Sequence, residues 1–208
     1  MDAQITLERT TIYFPRNQFT FYFGNRRKPS IEEFDKICRQ NRDLRFEMNE
    51  KGEISAMPPV YADTSEKNAD IIIQLGNWAK KDKRGKVYES SGGFVLPNGA
   101  VRSPDACWIL KERLEKLSEK ERQGFINICP DFVIELRSTS DSLTKLKAKM
   151  LEYLENGAKL GWLIDPNKKK VYIYRQNANV EIIENPKTLS DENTLRGFVL
   201  DLSEILSI

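Results

Sequence analysis

Histidine is absent from all 208 residues. That excludes Ser/His/Asp and Cys/His nucleophile pairs, HExxH zinc sites and any nuclease that uses a histidine base. Any catalysis must rest on carboxylates, lysine, tyrosine or a metal-bound water. Cysteine is scarce too. Cys38, Cys107 and Cys129 are odd in number and far apart, with no CxxC pair to hold zinc, which predicts reduced thiols in a cytoplasmic protein rather than a disulfide framework. No apolar run approaches membrane-spanning length, and "MDAQITLERTTIYF" lacks the basic-then-apolar layout of a signal peptide, so neither a membrane span nor export is expected. Excess charge is also missing. A net +2 announces no polyanionic partner, although a local run such as "KKDKRGK" (Lys80 to Lys86) can still touch phosphates.

What is present points to one soluble domain. Apolar residues make up 39% and charged residues 31% of the chain, enough to build a core under a heavily solvated surface. The expected division is an N-terminal arm over residues 1–30 and a single domain over 31–208. The arm contains the aromatic, apolar segment "TIYFPRNQFTFYF", unusual for an exposed tail, and this predicts a homodimer unless the arm folds back on its own core. "SIEEFDKICRQN" carries a capping box, Ser30 with Glu33, ahead of apolar residues at helical spacing. "LRFEMNEKGEISAMPP" reads as a hairpin about Lys51-Gly52, with Glu47 on its first strand. A helix is expected over Ser65 to Lys80, then a meander of strands at "KVYES", "GFVLP" and "DACWIL". "KERLEKLSEKERQGF" gives one charged helix or two short ones. "FVIEL" is a buried strand, followed by a helix from about Asp141 to Glu155 that stops at Asn156-Gly157. A second hairpin spans "GWLIDPNKKKVYIYR", "NVEIIENP" gives a further strand, and "FVLDLSEIL" a terminal helix. The sum is an α/β fold: a mixed central sheet flanked by helices, with extra N-terminal strands and hairpins.

Two carboxylates interrupt apolar strand sequence. In "FVIELR" alternate residues face opposite ways, so Glu135 and Arg137 share a side. An acid in such a run is costly to desolvate unless a cation compensates it. The compensation is an ion pair with Arg137, a place at the sheet edge, or a metal. Asp105, after Pro104 at the start of "DACWIL", sits where a neighbouring strand would deliver it close to Glu135. Two converging carboxylates form a site for Mg²⁺ or Mn²⁺. Asp131, in a second Pro-Asp pair, lies about 13 Å from Glu135 along the same strand and reads as a strand-start residue. In the helix after this strand, Leu143, Leu146, Met150 and Leu154 form the apolar stripe. Lys149 lies beside this stripe on the side of Tyr153, whereas Lys147 is nearer its centre. Ser103 and Ser138 flank the two acids as possible partners for ligand or phosphate, or as ordinary turn residues. Trp108 and Trp162 read as core.

A Pro-Asp, then a Glu with a basic residue two positions on, resembles the PD-(D/E)XK nuclease superfamily. The longer strings "GGFVLPNGAVRSPDACWI", "CPDFVIELRSTSDSL", "KAKMLEYLENGAKLGWLIDP" and "LRGFVLDLSEI" resemble the Uma-two family of restriction-endonuclease-like proteins, from about Phe34 to Leu206. The resemblance implies a restriction-endonuclease-like core, Mg²⁺ or Mn²⁺ held by Asp105 and Glu135, and hydrolysis of DNA phosphodiester bonds. The usual lysine of the Glu strand is here Arg137, which stays protonated and can clamp phosphate but cannot act as a base. The family's other lysine, four residues before a tyrosine, falls on Lys149 and Tyr153. Glu47 matches a recurrent family glutamate and is implied as a further metal or water ligand. The competing expectation is a non-catalytic module that keeps the fold to bind DNA or protein.

Overall fold

The computed structural model describes residues 28–57 and 59–207, preceded by three strands of backbone, β1 (Gln4–Leu7), β2 (Thr10–Tyr13) and β3 (Phe19–Phe21). Most of the arm expected over residues 1–30 lies outside the described residues. Of its strands, β1 and β2 pair with each other, while β3 joins a sheet of the main body.

Local sequence accounts for most of the elements. Helix α1 (Ile31–Gln40) begins at the expected capping box: Ser30 Oγ accepts from Glu33 N–H, and Ser30 N–H donates to Glu33 Oε2. Strands β4 (Arg45–Met48) and β5 (Ile54–Met57) form the expected hairpin. Its turn passes through Gly52 at φ +84°, a backbone conformation that side chains disfavour. Helix α2 (Ala62–Asp82) outruns its expected limits at both ends, because Tyr61 at the N-cap makes no side-chain bond and so leaves no signal in the sequence.

The strands β6 (Gly85–Glu89), β7 (Phe94–Val95), β8 (Val101–Arg102) and β9 (Ala106–Leu110) differ from the expected single meander. The chain leaves one sheet around Gly92-Gly93 and returns to it after Pro104. Thus β6 and β9 pair in one sheet, while β7 and β8 pair in another. The charged segment forms two short helices, α3 (Lys111–Glu115) and α4 (Glu119–Arg122). Then come β10 (Phe132–Leu136), α5 (Leu143–Glu155), β11 (Leu160–Asp165), β12 (Lys170–Arg175), β13 (Glu181–Glu184), β14 (Thr188–Ser190) and β15 (Val199–Asp201).

The larger sheet has the order β13-β12-β11-β10-β9-β6, and the smaller one β3-β5-β4-β8-β7. In the larger sheet β10 and β11 are parallel, joined by α5 as the crossover that a parallel pair demands, and every other pairing is antiparallel. The sheet is therefore mixed, with helices on its faces. Strand alternation gives it two apolar faces. Ala106, Trp108, Phe132, Ile134 and Trp162 pack toward α2 and the C-terminal segment. Cys107, Val133 and Leu163 pack toward α5, with its Met150 and Tyr153. Trp108 and Trp162 are core residues, as expected.

The C-terminal segment departs from expectation. "FVLDLSEIL" does not form a terminal helix; its first half is β15, paired with β14. Phe198, Leu200 and Leu202 are buried while Val199 between them is 56% exposed, which is the alternation of a strand with one covered face. Among the described residues no helix is long and apolar enough to cross a membrane.

Candidate functional site

The site forms where the smaller sheet meets the α5 face of the larger one. Antiparallel register pairs Ile134 with Ala106; carried one residue further, it sets Asp105 beside Glu135. Both side chains fall on the α5 side, since they alternate with Ile134 and Ala106 of the opposite face. A backbone bond fixes the pair: Leu136 N–H donates to Asp105 Oδ2 at 2.8 Å. Helix α5 lies close above because β11 has Gly161 beneath it, where an added Cβ would collide with Met150 Cε. Burying Met150 and Tyr153 contributes about 2 kcal/mol each to holding the helix there.

From α5, Lys149 and Tyr153 point into this corner one turn apart. Lys149 Nζ stands 2.8 Å from Glu135 Oε1 and 2.8 Å from Glu47 Oε1, with only 13% of its side chain exposed. Tyr153 donates from its hydroxyl to the same Glu135 oxygen at 3.0 Å. Glu47 arrives from β4, in the smaller sheet, and also accepts Ser103 N–H at 2.8 Å. Arg102, at the end of β8, bridges Glu47 Oε2 at 3.3 Å and Glu152 Oε2 at 2.6 Å. Glu152 in turn accepts from Asn98 Nδ2 at 3.1 Å.

Glu47, Glu135, Glu152 and the adjacent Asp105 thus share two contacting cations, Lys149 and Arg102, in a poorly solvated corner, with Arg45 acting on Asp105 from farther off. Its electrostatic signature differs from acid to acid. Burial pushes Glu135 up to about 8; Lys149 pulls it down, while Asp105 and Glu47 add to the rise. Burial likewise raises Asp105, and its bond from Leu136 N–H offsets this only in part. For Glu47 burial is outweighed by Lys149 and Arg102, which hold it below the ordinary glutamate range. For Lys149 burial is outweighed by Glu135 and Glu47, which hold the ammonium firmly protonated.

Two oxygens, Glu135 Oε2 and Asp105 Oδ1, take no hydrogen bond from the described residues. Hard, anionic oxygens of this kind suit Mg²⁺ or Mn²⁺ with water completing the shell. Among the described residues no three acidic or cysteine side chains gather into a cage, so the fit is to a two-carboxylate site whose shell water and substrate would complete.

The remaining sequence candidates fall elsewhere. Arg137 does not pair with Glu135; its Nη1 lies 2.8 Å from Asp165 Oδ2, and its Nε donates to Asp141 O at 3.2 Å. The reason is that β10 ends at Leu136, and Asp165 on β11 is fully buried and needs a cation. Ser138 is a turn residue: its N–H donates to Asp141 Oδ2 at 2.8 Å, and its hydroxyl meets Ser140 Oγ at 3.0 Å. Ser103 contributes its backbone N–H to Glu47. Lys147 lies over the Tyr172 ring, 4.3 Å from its centroid, and so not at the carboxylates. Arg102 and Glu152 escape a reading of the sequence alone. Their only signals there are weak, an arginine three residues before Asp105 and a glutamate one turn after Lys149.

A family comparison covers the stretch of chain that builds this corner. A family model described as "Putative restriction endonuclease", Uma2, matches residues 31–203. The chain belongs to the Uma2 family. The Uma2 match takes in every side chain of the cluster, from Glu47 to Tyr153. Among solved structures, the chain is similar to a "putative nuclease belonging to DUF820" from Anabaena variabilis ATCC 29413, with a TM-score of 0.68 and 21% sequence identity over 86% of this chain and 97% of that one. At that identity the likeness establishes the Uma2 chain's fold. A comparison with curated proteins gave no match.

Proposed function

We propose that the protein is a divalent-metal-dependent endonuclease that hydrolyses DNA phosphodiester bonds. The observation that carries this reading is the placement of Lys149 Nζ 2.8 Å from Glu135 Oε1, beside Asp105. This brings two carboxylates and a lysine together although the lysine is missing from its usual strand position. Asp105 and Glu135 would hold Mg²⁺ or Mn²⁺, which when bound polarises the scissile phosphate and makes water a better nucleophile. The residues of the chain do the rest. Lys149, held between two glutamates, stabilises the negative charge that develops on the phosphate. Tyr153 orients Glu135 through its hydroxyl. Arg137 remains the alternative phosphate clamp, but the buried Asp165 already engages its guanidinium, which favours Lys149. The Uma2 description and the nuclease-named solved structure support DNA as partner and substrate class.

Plasmid DNA incubated with the protein and Mg²⁺ or Mn²⁺ tests the reading. Cleavage is expected, with loss in Asp105→Ala and Glu135→Ala; no cleavage across metals and substrates would leave the non-catalytic binding module, which Arg137 in the lysine position favours. A cytoplasmic setting completes the proposal, supported by the reduced-thiol cysteine pattern, and so does a homodimer, supported by the part of the aromatic arm that precedes β3, since β3 itself pairs with β5 of the same chain. Light scattering giving a concentration-independent monomer mass would refute the dimer.

A further inference from the structure

Glu47 and Glu135 share one ammonium, yet they are bonded differently. Both oxygens of Glu47 are engaged: Oε1 takes Lys149 Nζ and Ser103 N–H, and Oε2 takes Arg102. Glu135 concentrates its two partners, Lys149 and Tyr153, on Oε1, leaving Oε2 open among the described residues, and Asp105 keeps Oδ1 open in the same way. Glu47 also comes from a different sheet and is backed by a rigid chain of contacts, Arg102 to Glu152 to Asn98, which ties β8, α5 and the turn after β7 together. A carboxylate so saturated has little to offer a cation. What it does have is a fixed position, and lysine, a point charge on a flexible four-carbon stem, needs one.

We infer that Glu47 is a positioning residue for Lys149 rather than a metal ligand: with Arg102 behind it, it fixes the ammonium against Glu135 Oε1. The catalytic role of Lys149 and the metal at Glu135 rest on the nuclease reading above; the contact by which Glu47 holds the ammonium does not.

Two measurements test it, both on folded full-length variants. In calorimetric titration with Mn²⁺, Asp105→Asn is expected to lose detectable binding. Glu47→Gln should retain it within about tenfold, the scale of losing a partner outside the coordination shell. In Mg²⁺-dependent plasmid cleavage, Glu47→Gln should fall about a hundredfold, as expected when a reacting group is misplaced by about an ångström. In a Lys149→Met background the same change should cost nothing further, because its target is already gone. Mn²⁺ binding lost as completely in Glu47→Gln as in Asp105→Asn, or cleavage losses that multiply in the double variant, would overturn the inference. No cleavage by the unmodified protein, or Mn²⁺ binding untouched in Asp105→Asn, strikes the nuclease reading instead. The metal-free stability of the same variants then decides: a Glu47→Gln effect that disappears in Lys149→Met upholds the contact, and one that persists unchanged removes it.

Discussion

Asp105 and Asp131 each follow a proline, and each stands immediately before one strand of the same antiparallel pair, β9 and β10. Each also accepts the N–H at the far end of the other strand: Asp105 from Leu136 at 2.8 Å, Asp131 from Leu110 at 3.0 Å. Locally the two are near-equivalent. Their surroundings are not. Asp131 is fully buried and has two cations of its own, Arg113 at 2.9 Å and Lys159 at 3.1 Å. Asp105 has no ion pair among the described residues and lies beside Glu135, which shares its only ammonium with Glu47. The same dipeptide thus locks one end of a strand pair and leaves the other end short of positive charge. The deficit, rather than the Pro-Asp pair itself, is the observation behind the proposed cation site.

The contrast is broken most directly by neutralising each acid in metal-free protein. Asp131→Asn should lose about 3 kcal/mol in urea unfolding, since it uncouples a buried, multiply bonded carboxylate. Asp105→Asn should lose nothing or gain up to about 1 kcal/mol by relieving repulsion. Equal losses in the two variants would erase the distinction.

The next effect is a pH dependence peculiar to the Asp105 end. Burial, with Asp105 and Glu47 nearby, raises Glu135 from 4.5 to about 8 in the fold, so the folded chain binds its proton more tightly than the unfolded chain. That contribution is fully present below pH 4.5 and lost as pH rises through about 8. Stability should therefore decline by a few kcal/mol across this window, and saturating Mn²⁺ should flatten the decline. A profile that rises with pH over the same range would contradict the assignment.

Two smaller effects set the limits of the site. Arg137→Lys should cost about 1 kcal/mol by forfeiting the guanidinium contact with Asp165, which an ammonium cannot reproduce, while leaving plasmid cleavage unchanged within about threefold; a collapse of cleavage would bring Arg137 back into the chemistry. Lys147→Met, which removes only a cation over the Tyr172 ring, should change stability by about 0.5 kcal/mol and leave cleavage intact.

The sequence announces elements whose signals are local. The Ser30–Glu33 capping box, the Lys51-Gly52 turn and the stop at Asn156-Gly157 each need only a few adjacent residues. The C-terminal segment misleads because its pattern serves two periods. Phe198, Leu202, Ile205 and Leu206 fit a helical stripe, and only the buried Leu200, two residues from its neighbours on either side, betrays the strand. In the cluster, Asp105 and Glu135 are conspicuous as acids in apolar strands. Arg102 and Glu152 are not, because charged residues at a strand end or on a helix look like solvated surface until a partner some fifty positions away folds against them. Periodicity alone favours Lys147 over Lys149. The choice depends on which side of α5 meets the smaller sheet, and no short stretch of sequence encodes that.

The bridge from β4 to α5 also has a consequence in time. During synthesis Glu47 emerges first, Arg102 and Ser103 come next, and Lys149 appears only about a hundred residues after Glu47, a lag on the order of 5–20 s at ribosomal speed. Until then the nascent chain has a glutamate that Arg102 can hold and no ammonium to set against Glu135. The corner comes into being only once both sheets and the crossover helix exist, so a half-made or proteolytically truncated chain carries the acids without the centre they form.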